Sequence, residues 1–132
     1  MNKKSGLPSL PELLSLQNKT ALITGSASGI GEAIAYRFAE AGASLELVDI
    51  NETSLSEVKE NLKQFNVEID IHEIDLSKKE EIASLWVGLA GKEPDVLVNN
   101  AGIYPSKCFL NVDDAFLQKV LEVNLKSVFW MC

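Results

Sequence analysis

One histidine and two cysteines are the only imidazole and thiol groups in this chain of 132 residues. His72 lies away from any glycine turn, in a stretch that reads as a strand, so a surface or edge-strand position is expected and no triad can be built from it. Cys108 and Cys132 form no CxxC pair. That excludes a zinc site and a disulfide framework and makes a reducing cytoplasm the expected compartment. No residue beside Cys108 suggests an activated thiolate. Apolar runs fall well short of the ~20 residues a membrane span requires. The opening Met1-Asn2-Lys3-Lys4 is followed by Ser5-Gly6-Leu7-Pro8-Ser9-Leu10-Pro11, too broken by glycine and proline for a signal peptide's apolar core. Basic residues are outnumbered 12 to 19, leaving a formal charge of −7, which argues against nucleic acid or an anionic membrane as partner. Repeats and low-complexity tracts are lacking as well.

What remains is a chain long enough for one domain, able to bury roughly 60–70% of its unfolded surface. Residues 1–17 read as an N-terminal leader whose first dozen residues are expected to be mobile. Leu10, Leu13, Leu14 and Leu16 could lay one helical turn against the core. From residue 18 to 132 apolar strands and period-3.6 helices alternate. Strand one is expected over about 20–25. Its helix, about 29–41, would place Ile30, Ile34, Phe38 and Ala41 on one face, with Gly42 as the stop. Strand two is expected at 45–50, followed by a helix capped by Asn51 and lined by Leu55, Val58, Leu62 and Phe65.

Strand three is expected at about 67–74. Ser77-Lys78-Lys79-Glu80 has the form of a capping box, opening a helix with Ile82, Leu85, Trp86 and Leu89 inward. Pro94 precedes strand four, Asp95-Val96-Leu97-Val98-Asn99. A last helix begins near Asp113-Asp114, whose charges suit its N-terminus. It carries Phe116, Val120 and Val123 on one face and Leu117, Leu121, Leu125 and Val128 on another, a surface wide enough to be buried on two sides. Trp86 and Trp130 read as packing. Four βα units imply a Rossmann-type α/β fold: a parallel sheet with right-handed crossovers, strand order 3-2-1-4, flanked by helices.

The first crossover carries the chemistry. Ala21-Leu22-Ile23 feeds Thr24-Gly25-Ser26-Ala27-Ser28-Gly29-Ile30-Gly31, and this turn opens onto a helix. Glycine there lets backbone approach a pyrophosphate, and the helix's first N–H groups and dipole attract the phosphates. Asp49 closes the next strand and is placed to accept from a ribose diol, while neither Ile50 nor Ser26 and Ala27 offers a base to neutralise a 2′-phosphate. These features predict a dinucleotide site selecting NAD over NADP. The spacing is GxxxGxG rather than GxGxxG, and no GxxxxGK phosphate loop occurs. A phosphoacceptor receiver domain is rejected, because Thr24-Gly25 stands where its acidic pair belongs. Asp75 can be read as a helix-entry acid helping the cap at Ser77. Asn99 and Asn100 can be ordinary turn residues. Asn124, polar in an apolar helix, is either exposed or makes a purposeful hydrogen bond.

Over about 19–130 the chain resembles the short-chain dehydrogenase/reductase family. Thr24–Gly31 is similar to its TGxxxGIG motif, and Asn99-Asn100-Ala101-Gly102 to its NNAG motif. Asp75 falls where that family places an acid near adenine, and Asn124 at the asparagine of its catalytic tetrad. The resemblance implies an oxidoreductase interconverting alcohols and ketones or aldehydes with NAD. In it, Gly25, Ser26, Ser28, Gly29, Ile30 and Gly31 cradle the pyrophosphate, and Asp49 and Ile50 hold the adenosine ribose. Asp75 and Leu76 flank the adenine, Asn100, Ala101 and Gly102 contact the adjoining ribose, and Asn124 holds a water of the proton relay.

The family's Tyr-x-x-x-Lys pair is not found here: Glu40 stands four residues beyond Tyr36, and Cys108 four beyond Tyr104. The chain is therefore expected to be the cofactor-binding portion of a longer dehydrogenase, inactive alone. The competing reading is a non-catalytic dinucleotide-binding or oligomerising module. Strand four, left as an apolar edge, and the two-sided last helix predict self-association into a homo-oligomer. Tyr104-Pro105-Ser106 could edge a substrate pocket, but no residue fixes the substrate.

Overall fold

Short apolar runs bounded by turn residues become strands here, and the amphipathic stretches between them become helices. The computed structural model describes residues 7–132. In order these form α1 (Leu10–Leu14), β1 (Thr20–Thr24), α2 (Gly29–Glu40), β2 (Ser44–Asp49), α3 (Glu52–Leu62), β3 (Ile69–Glu73), α4 (Lys79–Gly88), β4 (Val96–Val98), α5 (Asp114–Leu121) and α6 (Ser127–Met131). A π-helical turn, Glu122–Lys126, joins the last two. Of the expected leader, residues 1–6 lie outside the described part. α1 does form, closed by a Ser9/Glu12 capping box, but Leu10, Leu13 and Leu14 are exposed and only Leu16 packs on the core.

The sheet is parallel with order β3-β2-β1-β4, as the crossover rule predicts. Ala21 lies opposite both Leu45 and Val96, and Leu45 opposite Ile69. Alternation along the strands then feeds two cores. Ala21, Ile23, Leu45 and Leu47 pack against Ala35 and Ala39 of α2 and Leu55, Val58 and Leu62 of α3. Leu22 and Val48 face the other way, onto Ile82, Leu85, Leu89 and Met131, with Trp86 and Trp130 half-buried beside them. A leucine such as Leu22, fully buried, is worth about 2–5 kcal/mol against alanine.

Two expectations fail for physical reasons. On α2 the inward face is Gly31, Ala35 and Ala39, whereas Ile30 is 74% exposed and Ile34 and Phe38 are only half-buried. Close helix-to-sheet approach selects small side chains at the contact, so Ile34 and Phe38 pack at its margin while Ile30 turns to solvent. The capping box at Ser77 does not form, because the helix starts one residue later, with Lys78 at the cap position and without a side-chain bond. The Ser77 hydroxyl donates to Asp75 Oδ1 at 2.7 Å.

Other signals hold. Asn51 accepts from Ser54 N and Asp113 from Phe116 N, each capping its helix. Gly42 follows α2 at φ +91°. His72 lies on the edge strand β3, half-buried, with Nε2 2.6 Å from Glu46 Oε2. β4 forms the other edge of the sheet. The phenyl ring of Phe129 on α6 is exposed, as are Leu117 on α5 and Leu125 in the π turn, so one face of this helical segment has nothing packed on it among the described residues.

Asp95 fastens the start of the sheet, accepting from Lys19 Nζ at 2.6 Å and Thr20 N at 2.9 Å. The lysine first, then the amide, holds its carboxyl below the usual range. A carboxyl lowered on folding adds stability that is complete above its unfolded pKa, about 3.9, and is lost as pH falls through its lower folded value. Denaturant melts from neutral to acid pH are therefore expected to show a shallower acid loss for Asp95→Asn than for the unaltered chain. Parallel acid limbs would refute this.

Candidate functional site

The carboxyl ends of β1 and β4 meet around Thr24. Its Oγ1 accepts from Asn100 N and Ala101 N, each at 3.0 Å, and donates to Val98 O at 3.3 Å. The Asn100 amide then donates to Thr24 O at 3.0 Å and Gly25 O at 3.1 Å. Asn100 thus ties the strands together rather than serving as an ordinary turn residue. Thr24 was not among the expected site residues. The available signal was a threonine ending an otherwise apolar buried strand.

Three glycines shape the turn, for different reasons. A Cβ on Gly25, at φ +66°, would come within 2.8 Å of Ala101 Cα. On Gly31 it would overlap the Gly25 carbonyl and approach Asn100 Nδ2 to 2.6 Å. Gly29 differs: at φ +59° its Cβ would meet nothing within 4 Å. Its left-handed backbone borders open space at the start of α2, where Ser28 makes no side-chain cap bond. The first-turn amides therefore lack a side-chain cap and stay available to an anion. Ile30 projects into solvent beside them.

Asp49 ends β2 and braces this turn, with Oδ2 accepting from Ala27 N at 3.1 Å and Oδ1 from Asn51 N at 3.1 Å. Each oxygen keeps a lone-pair site for a further donor. Ser26 is fully buried, and its hydroxyl donates to Val48 O at 3.3 Å, so its side chain is not brought to the cleft. Asp75 stands four residues ahead of α4 without supporting a cap at Ser77. Its Oδ1 accepts from the Ser77 amide and hydroxyl, and the residue also lines the cleft. The Ser77 hydroxyl foremost, then its amide, Lys78 and Lys119, overcome partial burial and hold the Asp75 carboxyl below the usual range.

A cleft of about 340 Å³ opens over these strand ends, within the range of small-molecule sites. It brings together Gly25, Asp49, Ile50, Asp75, Leu76, Ala101 and Gly102 as expected, and adds Ile74, Ile103, Lys119 and Val123. Ser28, Gly29, Ile30 and Gly31 lie outside that lining, on the adjoining turn. Asn124, in the π turn, uses both ends of its amide on one residue: Oδ1 accepts from Ile103 N at 2.8 Å and Nδ2 donates to Ile103 O at 2.9 Å. It pins the segment after Gly102 while staying exposed, so exposure and a purposeful bond occur together.

A parallel sheet of this order, with a glycine turn opening onto a helix and a cleft at the strand ends, defines a Rossmann-type nucleotide-binding unit. The sequence model of the short chain dehydrogenase family matches residues 19–132, and the chain belongs to that family, whose members are oxidoreductases binding NAD or NADP. It is 37% identical over 119 residues to 3beta-hydroxysteroid dehydrogenase 2 of Eggerthella lenta, covering 87% of this chain and 45% of that protein. It is 38% identical to an (S)-acetoin-forming diacetyl reductase of Staphylococcus epidermidis, covering 82% and 43%. Among solved structures, L-sorbose reductase of Gluconobacter frateurii, complexed with NADPH and L-sorbose, matches with a TM-score of 0.83 and 30% identity, covering 89% and 46%. The chain spans less than half the length of each of these proteins.

The glycines separate packing from binding. Gly31→Ala is expected to cost more than about 3 kcal/mol, since backbone must move to admit the methyl. Gly29→Ala is expected to cost only about 1–2 kcal/mol, the penalty of left-handed backbone, and to leave the fold intact. Urea melts of both variants check this; equal losses would refute the distinction.

Proposed function

We propose that this chain is the coenzyme-binding portion of an NAD-dependent short-chain oxidoreductase that interconverts alcohols and ketones or aldehydes. The observation that carries the reading is Asp49 at the tip of β2. Held by Ala27 N and Asn51 N, its carboxylate keeps acceptor sites for both hydroxyls of an adenosine ribose. A 2′-phosphate would meet that negative charge with Ser26, Ala27 and Ile50 as neighbours, none of them basic. The NADPH found in the sorbose reductase belongs to that protein; the acid in this chain supports NAD.

In this reading Gly25, Ser28, Gly29, Ile30 and Gly31 surround the pyrophosphate, with Ser26 contributing backbone alone. Ile50 joins Asp49 on the ribose side. Leu76 and Asp75 flank the adenine, and Asn100, Ala101 and Gly102 border the second ribose. When bound, the nicotinamide supplies or accepts the hydride. The chain's own task is to orient the coenzyme and exclude water from its adenosine half. Asn124 is a positioning residue, fixing Ile103 and with it the wall next to Gly102. Residues 18–132 form the binding unit and 1–17 its leader. The same reading places the protein in the cytoplasm. Among the described residues no helix is long and apolar enough to cross a membrane.

The uncovered face bearing Leu117, Leu125 and Phe129, together with the apolar edge Val96–Val98, supports self-association. Sedimentation at micromolar concentration is expected to show a dimer or larger species; a monomer would refute it. Calorimetry is expected to show NAD binding more tightly than NADP. Asp49→Asn should weaken NAD by about ten-fold, the 1.4 kcal/mol typical of a lost bond to a charged group. Tighter binding of NADP would overturn the assignment. With NAD and a panel of alcohols and ketones no turnover is expected, since these 132 residues hold no Tyr-x-x-x-Lys pair.

A further inference from the structure

Lys119 is the one basic side chain lining the cleft, whose acids are Asp49 and Asp75. Most other charged groups near it are engaged. Lys107 pairs with Asp113 at 2.7 Å, Lys126 with Glu122 at 3.9 Å, and Lys78 with Glu81 at 2.7 Å. Lys119 has no carboxylate within ion-pair distance among the described residues, although it stands close enough to Asp75 to lower its pKa. It also lies one helical turn before Val123, so both project from the same face of the α5 segment into the cleft.

Asp75 offers the complementary half. Its Oδ1 is taken by Ser77, whereas Oδ2 makes only a loose contact, 3.8 Å, with Lys78, which is held more closely by Glu81. Lys119 approaches from the helix wall, while Asp75, beside Leu76, approaches from the strand wall. The apolar residues Ile50, Leu76 and Val123 lie in the same cleft, a lining suited to a flat base rather than to a phosphate.

We propose that Lys119 is the outer wall of the adenine subsite, its ammonium reaching across the cleft mouth toward Asp75 Oδ2 and holding the base in. The claim rests on the nucleotide reading above and extends it to a residue that no motif contains. A four-carbon stem lies over the face of the base while the charge stays in solvent. The pair closes once the base fills the gap between the walls.

The test is calorimetry of the whole chain with three probes, adenosine, AMP and NAD. Lys119→Gln is expected to weaken all three by the same factor, about five-fold, the upper end for an exposed ion pair. Lys119→Arg should restore binding to within about two-fold, since charge and reach are kept. In an Asp75→Asn background Lys119→Gln should change little, because the two substitutions remove one interaction. The thermal midpoint without ligand should not move with Lys119→Gln, which separates this role from a structural one. Unchanged binding by Lys119→Gln would overturn the proposal. So would a loss confined to AMP and NAD, which would assign Lys119 to the phosphates. If the unaltered chain binds none of the three probes, the nucleotide reading itself falls, and the proposal with it.

Discussion

Everything in the cleft depends on how closely the first turn of α2 can approach the end of β1. Gly31 touches the Gly25 carbonyl, and Asn100 Nδ2 caps that same oxygen and its neighbour from the β4 side. Three segments distant in sequence are thus closed on two carbonyl groups. Thr24 Oγ1 takes the amides of Asn100 and Ala101, and no buried side-chain polar atom among the described residues lacks a partner. These bonds form without ligand, and the groups left over are the outer lone pairs of Asp49 in the cleft and the α2 first-turn amides on the adjoining turn. A binding site with its internal bonds already made loses little order when a ligand arrives.

That constraint also explains which features could be read from the residues and which could not. Strand order, the Gly42 stop and the caps at Asn51 and Asp113 follow from local chemistry and the handedness of crossovers, and all are present. The buried face of α2 does not follow from periodicity, because hydrophobic spacing points to Ile30 and Phe38 while contact distance selects Gly31, Ala35 and Ala39. An isoleucine at the mouth of a glycine turn reads as core by spacing and as ligand contact by position; its 74% exposure excludes the first. Ser77 shows a different failure. Its hydroxyl donates to Asp75, and the helix takes Lys78 as its cap, one residue later than the letters suggest.

The least legible element is the helix after Asp113. Pattern alone predicts one continuous helix with two apolar faces, yet a π turn at Glu122–Lys126 interrupts it. The extra residue in that turn sits where Asn124 reaches both the amide and the carbonyl of Ile103. Such widened turns concentrate at functional sites because they re-aim one side chain without ending the helix. Lys119 and Val123 precede or occupy this turn, so the cleft wall they form is set by the same contact that fixes Ile103. The far face, with Leu117, Leu125 and Phe129, has no such partner among the described residues.

The net charge of −7 opposes an anionic coenzyme at long range, and the conflict dissolves on the scale of the site. At physiological ionic strength charges beyond about 8 Å are largely screened, so most of the nineteen acids are irrelevant to a phosphate at the α2 terminus. The two acids that line the cleft, Asp49 and Asp75, lie where the proposed arrangement puts ribose hydroxyls and the base, which are donors and not anions. In the same arrangement the pyrophosphate end would rely on backbone N–H groups and the helix dipole rather than on side-chain charge. Division of labour between carboxylates for donors and amides for anions lets an acidic chain hold an acidic ligand. It also predicts where selectivity resides: any added phosphate on the ribose would enter the one zone of the cleft already negative.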